Sequence, residues 1–231
     1  MNEEKILQLI QEENPDNPLL YVKNLVKPMM INKINNYIEE CDYCPNRYSG
    51  FKTIPYGNIN ANILIICEQP LQSQLQLNKD IVSVLEGTQE KEILSTVFEE
   101  YNVKEEQFYF VNMINCLSKI IINNETIIRP FAFEELNSCK IYLDNLIEAM
   151  NPNLIICLGS SVFNVFSDAS FNKSKNNFFK IGFIDAIAIQ SPTFLIQQRE
   201  IKDEELCEQE ELEFMEGFKK AFDFCHQNGW L

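Results

Sequence analysis

NILIICEQP, residues 62–70, is apolar at every position from Ile63 to Cys67 and then breaks at Glu68-Gln69-Pro70. A short run that is apolar without alternation suits a strand covered on both faces, as in a parallel sheet, and not a strand with one wet side. Three further stretches repeat the pattern: QFYFVNMIN (107–115), NLIICLGSS (153–161) and FIDAIAIQSP (183–192). Between them, Lys91–Tyr101, Phe133–Met150 and Ser160–Phe166 carry helical patterning. Strand and helix in alternation predict an α/β fold, a three-layer α/β/α sandwich around a central four-stranded parallel sheet with right-handed crossovers.

Sheets of this kind place ligands beyond the carboxyl ends of the strands. Those positions are Glu68-Gln69-Pro70, Asn112 to Cys116, Gly159-Ser160-Ser161 and Gln190-Ser191-Pro192. Around this core we expect a helical extension over 1–40, broken by Pro15, Pro18 and Pro28. The α/β domain follows over 41–200, and an acidic helical segment over 201–231 packs on it.

The formal charge of −15 weighs against a dense phosphate-gripping surface, since nucleic-acid affinity runs on Lys and Arg displacing counterions. Only three arginines occur, Arg47, Arg129 and Arg199. Residues 200–216 hold nine acids against Lys202, which suits a solvated helix face or a contact for a basic protein partner. The opening residues lack the basic and apolar order of a signal peptide, and no run reaches membrane-spanning length, so the expected location is the cytoplasm with no membrane partner.

In that compartment thiols stay reduced, and eight cysteines read as metal ligands or core residues. Cys67 and Cys157 each end an apolar run and read as core thiols, while Cys207 and Cys225 read as incidental. Cys41 and Cys44 form a C-x-x-C pair, with Cys116 and Cys139 far along the chain. Two close ligands with two distant ones suit a tetrahedral thiolate site for zinc or an iron–sulfur cluster. A thioredoxin-like redox pair would follow a strand and open a helix, whereas this one follows a helix and leads into a loop with Pro45 and Pro55.

The order C-x-x-C, YGNINANILIICEQP, FYFVNMINC and FEELNSCKIYLDNLIEAMNPNLIICLGSSV resembles the iron–sulfur, thermostable-type (family 4-like) branch of the uracil-DNA glycosylase superfamily. Asn112, Cys116, Glu135, Cys139, Leu143, Pro152 and Gly159 fall in register with that branch. The resemblance implies a [4Fe–4S] cluster on Cys41, Cys44, Cys116 and Cys139, and hydrolysis of the N-glycosidic bond of a base flipped out of DNA. It also implies Glu68 as the acid at the water, with Asn112, assisted by Gln69, reading the base. Leu85 stands where the family stacks an aromatic, and Ser191 where it carries a histidine; the single histidine, His226, lies elsewhere. LSKIIINNETIIRP replaces an arginine-rich stretch. Loss of an oxyanion donor typically costs about 10²–10³ in rate, so the expected activity is reduced or altered and DNA binding weak. The alternative is an inactive scaffold used for protein or nucleic-acid interaction.

Overall fold

The computed structural model describes residues 18–44, 50–122, 125–201 and 204–231. The chain runs α1 (Pro18–Glu40), β1 (Lys52–Ile54), β2 (Tyr56–Gly57), β3 (Ile63–Cys67), β4 (Ile81–Ser83) and α2 (Gln89–Glu100). It continues through β5 (Phe108–Asn112), β6 (Lys119–Ile122), β7 (Glu125–Ile128), α3 (Phe133–Met150), β8 (Leu154–Leu158), α4 (Ser160–Phe166) and α5 (Phe171–Ser174). It closes with β9 (Phe178–Ile181), β10 (Ile184–Ile189), α6 (Pro192–Ile201) and α7 (Glu204–Gln227). Pro15, Pro45, Arg47 and Lys202 lie outside the described residues.

The main sheet has the order β2-β5-β3-β8-β10-β9. Its inner four strands run parallel in register, Ile63 opposite Phe108 and Leu154, and Ile187 opposite Ile156. The sheet extends beyond the four parallel strands expected, because β2 and β9 add antiparallel edges to β5 and β10 and make it six-stranded and mixed. Those edge strands are short and only partly covered, so they lack the unbroken apolar runs that marked the inner ones.

Double-sided burial follows from the two-residue period of a strand. Ile63, Ile65, Phe108, Phe110, Leu154, Ile156, Ile187 and Ile189 pack under α2, α6 and α7. Their neighbours Leu64, Ile66, Tyr109, Val111, Ile155, Cys157 and Ala186 pack under α1 and α3. The parallel strands therefore separate two cores, and helices close both.

Helix ends obey local rules. Thr88 caps α2, its side chain accepting the Lys91 N–H, and Glu90 and Glu92 occupy the positive first turn. Asn151, in the left-handed region, ends α3. Helix α1 runs through Pro28 instead of breaking there. A proline inside a helix removes one backbone hydrogen bond, and here the burial of Ile31, Ile34 and Ile38 in the second core offsets it. Lys52 Nζ ties the end of α1 to β1, donating to the carbonyls of Glu39 and Cys41 at 2.7 Å each.

Glu135 opens α3 and is 2% exposed. It accepts the Ala132 N–H at 2.7 Å and the Ser118 hydroxyl at 3.2 Å, and it pairs with both terminal nitrogens of Arg129. Burial pushes its carboxyl up, but the Arg129 hydrogen bonds, the Ala132 N–H, the Arg129 charge and Ser118 together hold it below the ordinary value of 4.5.

Two outcomes follow from this packing. Phe218 in α7 is fully buried among Phe98, Phe214 and Phe222, so Phe218→Ala should cost about 3–5 kcal/mol in a urea unfolding titration. Glu135's depressed carboxyl contributes stability that is complete above its unfolded value and is lost as pH falls through its folded value. Unfolding free energy should therefore drop below about pH 4.5, and Glu135→Gln should flatten that drop.

Candidate active site and thiol pocket

Counting only the parallel strands, their order across the sheet is second, first, third, fourth. The chain leaves β3 toward β5 on one side and later returns to β8 on the other, which opens a crevice at the carboxyl ends of β3 and β8. A cleft of about 510 Å³ occupies that point. Glu68 and Gln69 from β3, Gly159 to Ser161 from β8, and Gln190 and Ser191 from β10 all line it, with Leu85 from the β4–α2 turn. Three of the four strand exits singled out from the sequence thus meet in one cavity.

Gly159 is needed where it stands. Its φ is 92°, a conformation strained for any residue with a side chain, and a Cβ there would also crowd the Ser191 Cβ at 3.1 Å where the β8 and β10 exits approach. Ser191 Oγ accepts the Phe194 N–H at 3.2 Å and so caps α6, its own hydroxyl proton remaining to be donated. Gln69 Nε2 donates to the Arg129 carbonyl at 3.4 Å, while its Oε1 is buried without a partner. Leu85 is buried and holds a φ of 61°, an uncommon conformation for a bulky apolar residue that concentrates at functional turns.

Asn112 does not line the cleft. It is 3% exposed and pairs in register with Cys67, so its side chain lies on the same face of the sheet as that cleft residue. Its Nδ2 donates to Thr53 Oγ1 at 2.8 Å, and the Thr53 hydroxyl in turn donates to the Asn115 carbonyl. That chain of donors fixes the amide orientation and leaves Asn112 Oδ1 buried with no donor.

The sequence reading passed over Glu90, Thr193, Phe194 and Arg129 as cleft residues. Glu90 is 7% exposed, and its Oε1 accepts the Thr193 hydroxyl at 3.1 Å. Together with burial, the nearby Glu90 charge pushes the Cys67 thiol up to about 12. Phe194 adds an aromatic residue to the cleft lining that holds Leu85. Arg129 reaches the wall just after β7, which pairs antiparallel with β6. The sequence hint for Glu90 was its place in a capped first turn; Phe194 had none, because its position depends on the angle of α6.

Cys41, Cys44, Cys116 and Cys139 line one small pocket with Ile38, Asn115 and Tyr142. Burial first, then the neighbouring thiols, pushes Cys116 and Cys139 up to about 12, with Lys52 opposing at Cys116 and the Asn115 backbone opposing at Cys139. Cys116 and Cys139 thus lie within electrostatic reach of Cys41 and Cys44. Among the described residues, no three Cys, His, Asp or Glu side chains are arranged to share a single metal ion. Cys67, Cys157 and Cys225 are core thiols, so Cys225 is packed and not incidental. His226 is exposed and away from the cleft.

The acidic segment forms the last residues of α6 and the first half of α7. Lys175 pairs with Glu210 and Glu213, Arg199 with Glu211, and Lys220 with Glu216, so part of its charge is met within the chain. Among the described residues no helix is long and apolar enough to cross a membrane.

Comparison with known proteins places this geometry. A Type-4 uracil-DNA glycosylase of Thermotoga maritima is 23% identical over 171 residues, covering 72% of this chain and 83% of its own length. A Type-4 uracil-DNA glycosylase of Archaeoglobus fulgidus is 24% identical over 200 residues, covering 81% of this chain and 89% of its own. The Uracil DNA glycosylase superfamily profile matches residues 54–211, a span that holds the parallel strands, the cleft and two of the four clustered thiols. The chain belongs to the uracil-DNA glycosylase superfamily.

Proposed function

We propose that this chain hydrolyses the N-glycosidic bond of a base flipped out of DNA, as a Type-4-like glycosylase with slowed or altered chemistry. The observation that carries the reading is Glu68 in a cleft at the sheet's switch point, inside the segment that matches the superfamily. A base must leave the duplex to reach such a cleft. Glu68 then takes a proton from the water that attacks C1′, as the electron pair of the C1′–N bond passes to the base. Gln69 lines the cleft beside the base edge, Asn112 backs the cleft with its amide held by Thr53, and Leu85 and Phe194 give the base apolar cover. Ser191 donates its hydroxyl where charge develops. A neutral hydroxyl that also caps a helix stabilises that charge less than a histidine would, which slows the reaction.

Cys41, Cys44, Cys116 and Cys139 are the residues that would hold a [4Fe–4S] cluster. Four thiols lining one small pocket fit a four-thiolate site, and the resemblance to the iron–sulfur branch favours a cluster there over zinc. When bound, the cluster supplies structure: it joins the residues after α1 to the β5 exit and to α3. We place the enzyme in the cytoplasm, where these thiols stay reduced.

Anaerobically purified protein should absorb broadly in the visible and carry about four irons per chain. Cys116→Ser and Cys139→Ser should bleach that absorbance and lower the unfolding midpoint; colourless protein with one zinc would overturn the ligand assignment. Excision of uracil from labelled oligonucleotides should be slow, should fall about 10²-fold or more with Glu68→Gln, and should rise with Ser191→His. Fast excision indifferent to Glu68→Gln would place the chemistry elsewhere.

A further inference from the structure

The acidic stretch of the sequence, residues 200–216, takes no part in the chemistry at the cleft. It ends α6 and opens α7, and beside it α2, α6 and α7 enclose a groove of about 630 Å³. Ile93 and Val97 from α2, Leu195 from α6, and Phe214 and Met215 from α7 give this groove an apolar floor. The floor continues onto the surface. Leu212, 71% exposed, stands one turn before Met215 on the same side of α7, and Ile201, 65% exposed, follows the lining residue Glu200 at the end of α6. Apolar residues exposed singly are ordinary, but an apolar groove that runs out into exposed Leu and Ile marks a contact surface.

The rim decides what covers it. Glu92, Glu200 and Glu211 line the groove, and the one cation among the described lining residues, Arg199, already donates from Nε to Glu211 at 2.8 Å. Glu208 lies one turn before Glu211 on α7. Among the described residues Glu92, Glu200 and Glu208 have no ion pair, whereas Lys175 answers Glu210 and Glu213, and Lys220 answers Glu216. The positive first turn of α2 accounts for Glu92. Glu200 has no such reason: it stands in the last turn of α6, the negative end of the helix, where a carboxylate is disfavoured. A cation supplied from outside would offset that cost. Groove and cleft share no lining residue, although α2 and α6 contribute to both.

We infer that this groove docks an amphipathic basic helix of a partner protein. Apolar residues at i, i+3 or i+4, and i+7 enter the floor, and Lys or Arg on the flanks meet Glu92, Glu200 and Glu208. The apolar anchors supply affinity, and the charges set register and speed of encounter. The same rim repels phosphate, so DNA is not the occupant. A second copy of this chain, at a formal charge of −15, brings mostly the same sign of charge and is disfavoured too. The inference stands apart from the base-excision reading, because it uses none of the cleft residues.

The test uses the whole protein and a fluorescein-labelled helical peptide of leucine and lysine, apolar on one face and basic on the other, beside a leucine and glutamate peptide of the same pattern. In anisotropy titrations the lysine peptide should bind about tenfold tighter than the glutamate peptide, and Glu92→Lys with Glu200→Lys should erase most of that difference. Leu212→Gln, at an exposed position, should weaken the lysine peptide several-fold with thermal unfolding unchanged. Glu134→Lys with Glu148→Lys, the same charge change on α3 across the sheet, should leave binding as it was. Equal binding of both peptides, binding of neither, equal loss from the α3 pair, or indifference to Leu212→Gln would overturn the inference. A dimer in sedimentation equilibrium that Leu212→Gln dissolves would assign the groove to a second copy and overturn the basic partner. Uracil excision, read separately on the same variants, should not follow peptide binding; parallel loss of both would overturn the separation of groove from cleft.

Discussion

Everything in this structure depends on four parallel strands that must be covered on both faces. Ile63 to Cys67 in β3 and Leu154 to Leu158 in β8 are buried at every position, so neither face can be left to water. That requirement calls for helices on both sides and for crossovers between strands, because parallel neighbours cannot be joined by tight turns. The crossovers carry all inner strands in one direction and bring their carboxyl ends to one rim. The cleft is a consequence of this topology before any side chain is considered.

The exit of β5 joins the two chemical regions. Asn112 faces the cleft side with its amide held by Thr53, and three residues on, Asn115 lines the thiol pocket beside Cys116. Backbone pairing continues past the strand, with the Met113 N–H on the Cys67 carbonyl at 2.8 Å and the Ile114 N–H on the Glu68 carbonyl at 2.9 Å. Displacement of Cys116 would therefore be felt at Cys67 and Glu68, each through one of these hydrogen bonds. A structural cluster at the thiols would thus stiffen the cleft's floor without taking part in its chemistry.

Charge sets what the cleft can accept. Glu135 holds both terminal nitrogens of Arg129 and anchors α3, so the guanidinium found among the described cleft residues is already engaged. Glu90 adds a carboxylate at a helix terminus that favours negative charge.

The inner strands, the spans of α3 and α4 and the rim carrying Glu68, Gly159 and Ser191 were legible in the sequence, because burial, periodicity and turn residues are local properties, whereas the grouping of Cys41, Cys44, Cys116 and Cys139 leaned on the family resemblance. The edge strands were not, since β2 is held by pairing with distant β5 and β9, although adjacent to β10, is only partly covered and lacks an unbroken apolar run. Helix α1 through Pro28 was misread because a tertiary core outweighed a local penalty. The cleft's membership was the least legible part. Glu90 and Phe194 enter it only through the angles at which α2 and α6 leave the rim, and Asn112 lies behind it because Thr53, 59 residues away, takes its amide. Residue types and spacing determined which groups this protein has to work with; three-dimensional packing alone decided which of them meet, because proximity between distant segments is set by how two cores close and not by any segment alone.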